Sequence, residues 1–168
     1  MILSLALLAL AALPQTQAQT PDPTLPPANA HVRFTVEGHG VQTYNCSEVS
    51  AGSFQWVFEE PAAGLFDPAT RRQVGTHSAG PTWTWSDGSA IVGKVLHTTP
   101  SSDPASIPWL LLETHSTGAV TGALTGVTFV RRSDTQAGKA PAGGCDVKHV
   151  NVVLHVPYQA TYTFYSTN

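Results

Sequence analysis

The chain has 168 residues, of which only 11% are charged, against ~25% in a typical soluble domain. This low charge argues against a coiled coil, and a hydrophobic content of 42% with a net charge of −3 argues against a disordered acidic tail. With 8 Lys and Arg against 11 Asp and Glu, the chain also lacks the basic excess that nucleic-acid binding needs, so no nucleic-acid partner is expected.

The N-terminal residues 1–18 predict a secretory signal peptide. Ile2–Leu13 is an apolar run, and Thr16-Gln17-Ala18 ends in the small residue that signal peptidase cleavage after Ala18 requires. The run is shorter than the ~20 residues of a membrane-spanning helix, so no membrane span is expected. The alternative is a buried N-terminal strand or helix. We therefore expect a secreted or periplasmic protein.

The Pro-rich residues 19–30 contain almost nothing to bury and predict a flexible or extended linker, which leaves residues 31–168 as one β-rich domain. In that domain, apolar and polar residues alternate with a period of two, which is typical of antiparallel strands with one buried face. The alternation is clearest in residues 31–36, 53–58, 149–156 and 158–165.

Two hairpins are predicted. Asp87-Gly88 favours a two-residue turn between the runs 82–86 and 89–96, because glycine supplies the positive φ angle that such a turn needs. The second joins Ile107–Glu113 to Ala119–Arg131 through residues 114–118.

Glycines within strand runs, at positions 93, 122 and 126, predict bulges or bends that curl a sheet. With roughly nine to ten short strands in all, the chain is expected to be all-β. The two architectures that fit are a single antiparallel β-sandwich and a partly closed β-barrel.

Cys46 and Cys145 are the only cysteines, and in an exported chain they predict one disulfide bond. The alternatives are a metal-binding pair and a catalytic thiol. Both are disfavoured, because Cys46 has no CxxC partner and neither cysteine adjoins a histidine.

No dinucleotide fingerprint, P-loop, GxSxG elbow or HExxH motif is present, so no cofactor is expected. Seven histidines suggest the hypothesis of a metal-binding site. His149 and His155 share a strand face, but they stand about 20 Å apart along the strand, too far to bind one ion. Structural or solvent-facing histidines are therefore favoured and no metal is expected, although a site assembled across strands stays open.

Trp83 and Trp85 lie on one face of their strand. Facing outward, they would form a stacking platform for a sugar ring or another flat ligand; facing inward, which is favoured, they belong to the core. Arg131-Arg132 with Lys139 can receive a carboxylate or phosphate, but a solvated loop is the favoured interpretation.

A series of motifs, read together, resembles the uncharacterised 3455 family of secreted bacterial and fungal domains of unknown function, over about residues 37–165. The motifs are GVQTYNC (40–46), WVF (56–58), LFD (65–67), VGTHSAGPTW (74–83), DGS (87–89), IPWLLL (107–112), GVTFVRR (126–132), GKAP (138–141), CD (145–146) and VPY (156–158). The resemblance implies export and a β-rich fold, and it brings no established activity. Some fungal members carry the label malate dehydrogenase, which this sequence does not support, because it has no dinucleotide fingerprint and no βαβ pattern.

The resemblance directs attention to a possible shared pocket, and the strand of Trp83 adds Trp85 to the candidates. The ligand-binding candidates are His77, Trp83, Trp85, Asp87, Lys94, Trp109 and Lys139. The leading hypothesis is a non-catalytic binding module for an envelope, matrix or host-surface ligand, such as a saccharide or another small molecule. The alternatives are an extracellular enzyme that uses His77 and Asp87 as acid and base, and a structural or stress-protective secreted protein. The oligomeric state stays open.

Overall fold

A computed structural model describes residues 21–167, and in this range the chain forms eight antiparallel strands. The predicted signal peptide, residues 1–18, lies outside the described residues. The strands are β1 (His31–Ser50), β2 (Ser53–Phe66), β3 (Gln73–Ser78), β4 (Thr82–Trp85), β5 (Ala90–Thr99), β6 (Trp109–Ser116), β7 (Phe129–Ala137) and β8 (Val153–Ser166).

Each strand pairs with the next along the chain, and β1 pairs with β8, so the sheet closes into a barrel. The all-β prediction is therefore confirmed in its barrel form, with eight strands rather than nine to ten. The count falls because residues 153–166 form one strand that runs through Pro157. This proline pairs with Val41 of β1 and lies just beyond the last β7 partner, Tyr158, so its missing N–H breaks no ladder.

The hairpin across Asp87-Gly88 is confirmed, with Gly88 at a φ of 84° between β4 and β5. Its turn has three residues, 86–88, rather than the two predicted, because the Trp85 N–H donates to the Ser89 carbonyl. The second predicted hairpin is wrong in its range. Strands β6 and β7 do pair, but residues 117–128 form turns rather than strand, and we call them the closing segment. Gly122 and Gly126 have positive φ angles there and serve turns instead of bulges.

The closing segment covers one end of the barrel. It inserts Leu124 and Val127 into the core, and its backbone binds the β4–β5 turn through Ala123 N–H to Asp87 and Leu124 N–H to Ser89. The β3–β4 turn lies at the other end of β4. The closing segment therefore does not cover the barrel mouth beside that turn.

The core consists of alternate residues that point into the barrel, as the period-two pattern predicts. In β8 the four expected residues are all buried: Tyr158, Ala160, Tyr162 and Phe164. Strand register brings inward residues into rows, one of which crosses β2 to β5 as Ala63, His77, Trp83 and Ile91. A second row crosses β6, β7, β8 and β1 as Leu110, Arg132, Tyr162 and Val36.

The disulfide Cys46–Cys145 is confirmed, with the two Cα atoms 5.3 Å apart. It ties the far half of the β1–β2 hairpin to residues 138–152, and a hydrogen bond from Trp56 Nε1 to the Gly143 carbonyl, 2.9 Å, joins the same two segments. At the N-terminus, Asp22 accepts a hydrogen bond from Arg131 and Thr24 is fully buried, so residues 22–24 lie against the barrel.

Removing the disulfide is expected to destabilise the domain. The bond joins residues 99 positions apart, and in the chain-entropy model a loop of that size restricts the unfolded state by about 4–5 kcal/mol. Urea unfolding of the Cys46→Ala/Cys145→Ala double variant is expected to show a loss of that order. Dithiothreitol should lower the midpoint of the parent protein and leave that of the double variant unchanged; equal midpoints in all four samples would contradict the prediction.

Candidate binding site at the open mouth of the barrel

A cavity of about 440 Å³ lies at the barrel end opposite the closing segment. Its volume falls within the ~300–1,000 Å³ range of small-molecule sites. The β3–β4 turn and β2 contribute rim residues, among them Pro81, Phe58 and Glu59, while inward residues of both core rows form the deeper walls. The lining is mainly apolar and aromatic; its polar residues include the buried Gln42, His77 and Arg132 and, at the rim, the exposed Glu59 and Thr98.

His77 and Trp83 stack against each other in the wall of this cavity. Their strands place them directly opposite each other, and their rings lie 4.5 Å apart with planes 11° from parallel. Gly93 on β5 makes room for the indole, because a Cβ there would lie 2.9 Å from the Trp83 ring and 3.1 Å from Leu112. The absence of a side chain at this inward position therefore fixes where Trp83 sits.

His77 is uncharged near pH 7. Burial lowers its pKa to about 4, and its Nδ1 lies 2.9 Å from the carbonyl oxygen of Thr82. Because a carbonyl only accepts, Nδ1 carries the proton and Nε2 of the neutral ring is left as an acceptor. The imidazole thus contributes an aromatic face and one acceptor to the wall.

Two buried tyrosines stand beside the floor of the cavity. The hydroxyls of Tyr158 and Tyr162 lie 3.0 Å apart and share a hydrogen bond. Burial raises the pKa of both phenols, and the nearby Arg132 charge opposes this only in part. Both side chains are therefore neutral near pH 7.

Arg132 brings a full positive charge into the cavity wall. The side chain is only 9% exposed, and both its Nε and its Nη2 donate to the carbonyl oxygen of Pro108, at 3.1 and 2.9 Å. Within residues 21–167 no carboxylate lies within 4.0 Å of it, whereas its neighbour Arg131 points outward and pairs with Asp22 at 2.7 Å. The solvated loop predicted for Arg131-Arg132 is thus wrong, because both belong to β7 and face opposite sides of the sheet.

Two further donors in the cavity wall have no acceptor among the described residues. They are Nε1 of Trp83 and Nε2 of Gln42, whose side chains are 1% and 3% exposed. The Gln42 amide lies beside the Tyr158 hydroxyl without completing a hydrogen bond through Nε2. Buried donors without partners are rare, and each such group calls for an explanation.

Of the seven ligand-binding candidates from the sequence, the structure brings only His77 and Trp83 to this cavity. Trp85 also points inward but packs against Phe34 and Phe164 in the core. The remaining four lie elsewhere: Asp87 in the β4–β5 turn, Lys94 exposed on β5, Trp109 beneath Arg131, and Lys139 exposed and bound to the Pro104 carbonyl.

Gln42, Arg132 and Tyr162 line the cavity but are not among those seven candidates, although Arg132 was considered with Arg131 as a receiver of a carboxylate or phosphate. Each stands an even number of positions from a buried apolar residue on its own strand: Val36, Val130 and Phe164, respectively. A polar residue on the inward side of an alternating strand is the signal that could have found all three.

In residues 21–167 no group of three or more His, Cys, Asp or Glu side chains is arranged to hold a metal ion. No helix in that same range is long and apolar enough to cross a membrane.

The fold and the site define a closed, eight-stranded antiparallel barrel with a ligand-sized cavity at one mouth. The chain belongs to a family described as a protein of unknown function (DUF3455), whose sequence model matches residues 26–166. No curated protein and no solved structure matches the chain.

The buried, neutral His77 is expected to make stability depend on pH. Its pKa is about 4 in the folded protein and ~6.5 when unfolded, so the unfolded chain binds the extra proton between these values. Stability should therefore fall as the pH drops through this window, by about 2 kcal/mol between pH 7 and pH 5.

The control is His77→Phe, which keeps an aromatic ring against Trp83 but cannot titrate. Carboxyls with lowered pKa, such as Asp87, which accepts hydrogen bonds from Ser89 and Ala123, are present in both proteins and cancel in the comparison. Urea unfolding from pH 7 to pH 5 is the measurement. The same fall in both proteins would contradict a titrating role of His77.

Proposed function

We propose that this protein is a binding module that receives one small, ring-bearing molecule in the mouth cavity. The observation that carries the proposal is the cavity itself: one end of the barrel is filled by the closing segment, while the other keeps about 440 Å³ of aromatic-lined space. An eight-stranded barrel has an interior just wide enough to be filled by side chains or to hold one small ligand.

The lining favours a flat, largely apolar ligand body. Trp83, Tyr162 and Phe58 present aromatic surface, and Pro81, Pro108 and Leu112 add apolar contacts. A saccharide resting on an exposed indole platform has less support, because Trp83 is 1% exposed and Trp85 is partly buried with its ring packed against the core. The ligand therefore enters the barrel mouth rather than lying across the outside of the sheet.

The enzyme alternative gains no support from the arrangement of its two candidate residues. His77 bonds the carbonyl of Thr82 at the start of β4, whereas Asp87 follows the end of that strand and binds Ser89 and the closing segment. The two side chains thus stand at opposite ends of the barrel wall. No acid–base pair forms at the cavity from these residues.

The proposal also places the protein outside the cytoplasm. The disulfide is compatible with an extracellular or periplasmic location, since such bonds persist in oxidising compartments. The N-terminal apolar run, read as a signal peptide ending at Ala18, supports the same location. We therefore include export in the proposed function, and the ligand is one that the protein meets outside the cytoplasm.

Blocking the mouth is expected to weaken binding of a neutral ring compound. Val95 lines the cavity and is 45% exposed, so Val95→Trp should fill the opening without disturbing the core. With naphthalene-2-carboxamide as the probe, isothermal titration calorimetry should show affinity reduced by roughly tenfold or more, a change of ~1.4 kcal/mol.

The matched control is Val153→Trp, since Val153 is similarly exposed, at 48%, but lies on β8 away from the cavity. It should bind the probe like the parent protein, and only the parent and this control should show a shift of the Trp83 indole N–H resonance. The absence of binding to the parent protein, or equal binding by both variants, would contradict the proposed site.

A further inference from the structure

We propose that the ligand of the mouth cavity carries a carboxylate, which pairs with Arg132. This inference rests on the proposed function and adds the chemical class of the ligand to it. The ligand is then a small aromatic acid whose ring lies against the apolar walls and whose carboxylate reaches the guanidinium.

The first argument is the state of the Arg132 charge. A guanidinium keeps its charge at accessible pH, and buried charges in proteins are paired or bind ions. Arg132 is 9% exposed, yet its partners among residues 21–167 are neutral: the Pro108 carbonyl, which accepts two hydrogen bonds, and the neighbouring Tyr162 hydroxyl. The Nε–H and one Nη2–H are used there, and the neutral Tyr162 hydroxyl lies beside the guanidinium, so at most three of the five N–H donors are shared between that hydroxyl and a ligand.

The second argument is that the other groups around the cavity do not neutralise Arg132. Tyr158 and Tyr162 are uncharged, because burial raises the pKa of both phenols. His77 is also neutral, since burial lowers its pKa to about 4. Glu59, the acid in the lining, is exposed at the rim and makes no ion pair with Arg132. The counterion is therefore expected to come from the ligand.

The third argument is the pair of unsatisfied donors in the same lining. Nε1 of Trp83 and Nε2 of Gln42 are buried and lack acceptors among the described residues. A carboxylate offers about four lone-pair sites and no hydrogen to donate, so it matches a wall that presents donors. A neutral polyhydroxyl ligand would bring further donors to a wall that already has an excess of them.

The test compares two probes of almost identical shape, naphthalene-2-carboxylate and naphthalene-2-carboxamide, by isothermal titration calorimetry near pH 7. The parent protein is expected to bind the carboxylate at least about tenfold more tightly, because charge-assisted hydrogen bonds are roughly twice as strong as neutral ones. Arg132→Gln should remove that preference and change the carboxamide affinity less than about threefold.

The control is Arg72→Gln, which removes the same charge from an exposed position in the β2–β3 turn, away from the cavity. It should retain the preference for the carboxylate. Arg132→Lys, which keeps a charge without the planar fork, should keep part of it.

The outcomes separate the two proposals. If neither probe binds the parent protein, the proposed function fails. If both bind it equally, the carboxylate inference is overturned while the cavity stands, and this comparison needs no variant to fold. If Arg132→Gln lowers the affinity for both probes by the same factor, Arg132 only anchors Pro108 in the wall, and the inference is likewise overturned.

Discussion

The pairing of β1 with β8 is the constraint on which the interior depends. It runs from His31 opposite Ser166 to Asn45 opposite Val153 and converts an eight-stranded meander into a closed barrel. Closure places Tyr162 and Arg132 across the interior from Trp83. The Tyr162 phenol and the Arg132 guanidinium, which would be solvent-exposed in an open sheet, are therefore buried. Because the closing segment fills only one end, the space left at the other end is enclosed by sheet on all sides. A charge in such a place interacts more strongly with a ligand than it would in water.

Much of this fold could be predicted from local patterns. The alternation in residues 158–165, the hairpin across Asp87-Gly88 and the disulfide are each specified by a few residues, and each is confirmed. The errors arise where tertiary contacts decide. Residues 117–128 have strand-like composition, but Leu124 and Val127 are buried by covering a barrel end rather than by joining a ladder. The sequence leaves a sandwich and a partly closed barrel open, because the choice between them depends on the pairing of β1 with β8.

The site was less predictable than the fold. His77 and Trp83 were selected, and their register across β3 and β4 brings them together. Asp87 and Lys94 lie near these residues in sequence, and the family resemblance groups Lys139 with them, yet all three lie on other surfaces. Arg132 was placed in a loop with Arg131, although a shift of one residue along a strand exchanges the buried and the exposed face. The sequence interpretation therefore missed that Arg132 points into the barrel, because one position along the strand separates the inward from the outward face.

The central claim is that the mouth cavity holds an acid against Arg132, and a crystal structure of the protein with naphthalene-2-carboxylate tests it most directly. The account predicts electron density for the ring between the cavity walls near Trp83, with a carboxylate oxygen within ~3 Å of an Arg132 nitrogen, a usual length for such hydrogen bonds. A cavity filled only by water, with the probe elsewhere or its carboxylate turned to solvent, would contradict it.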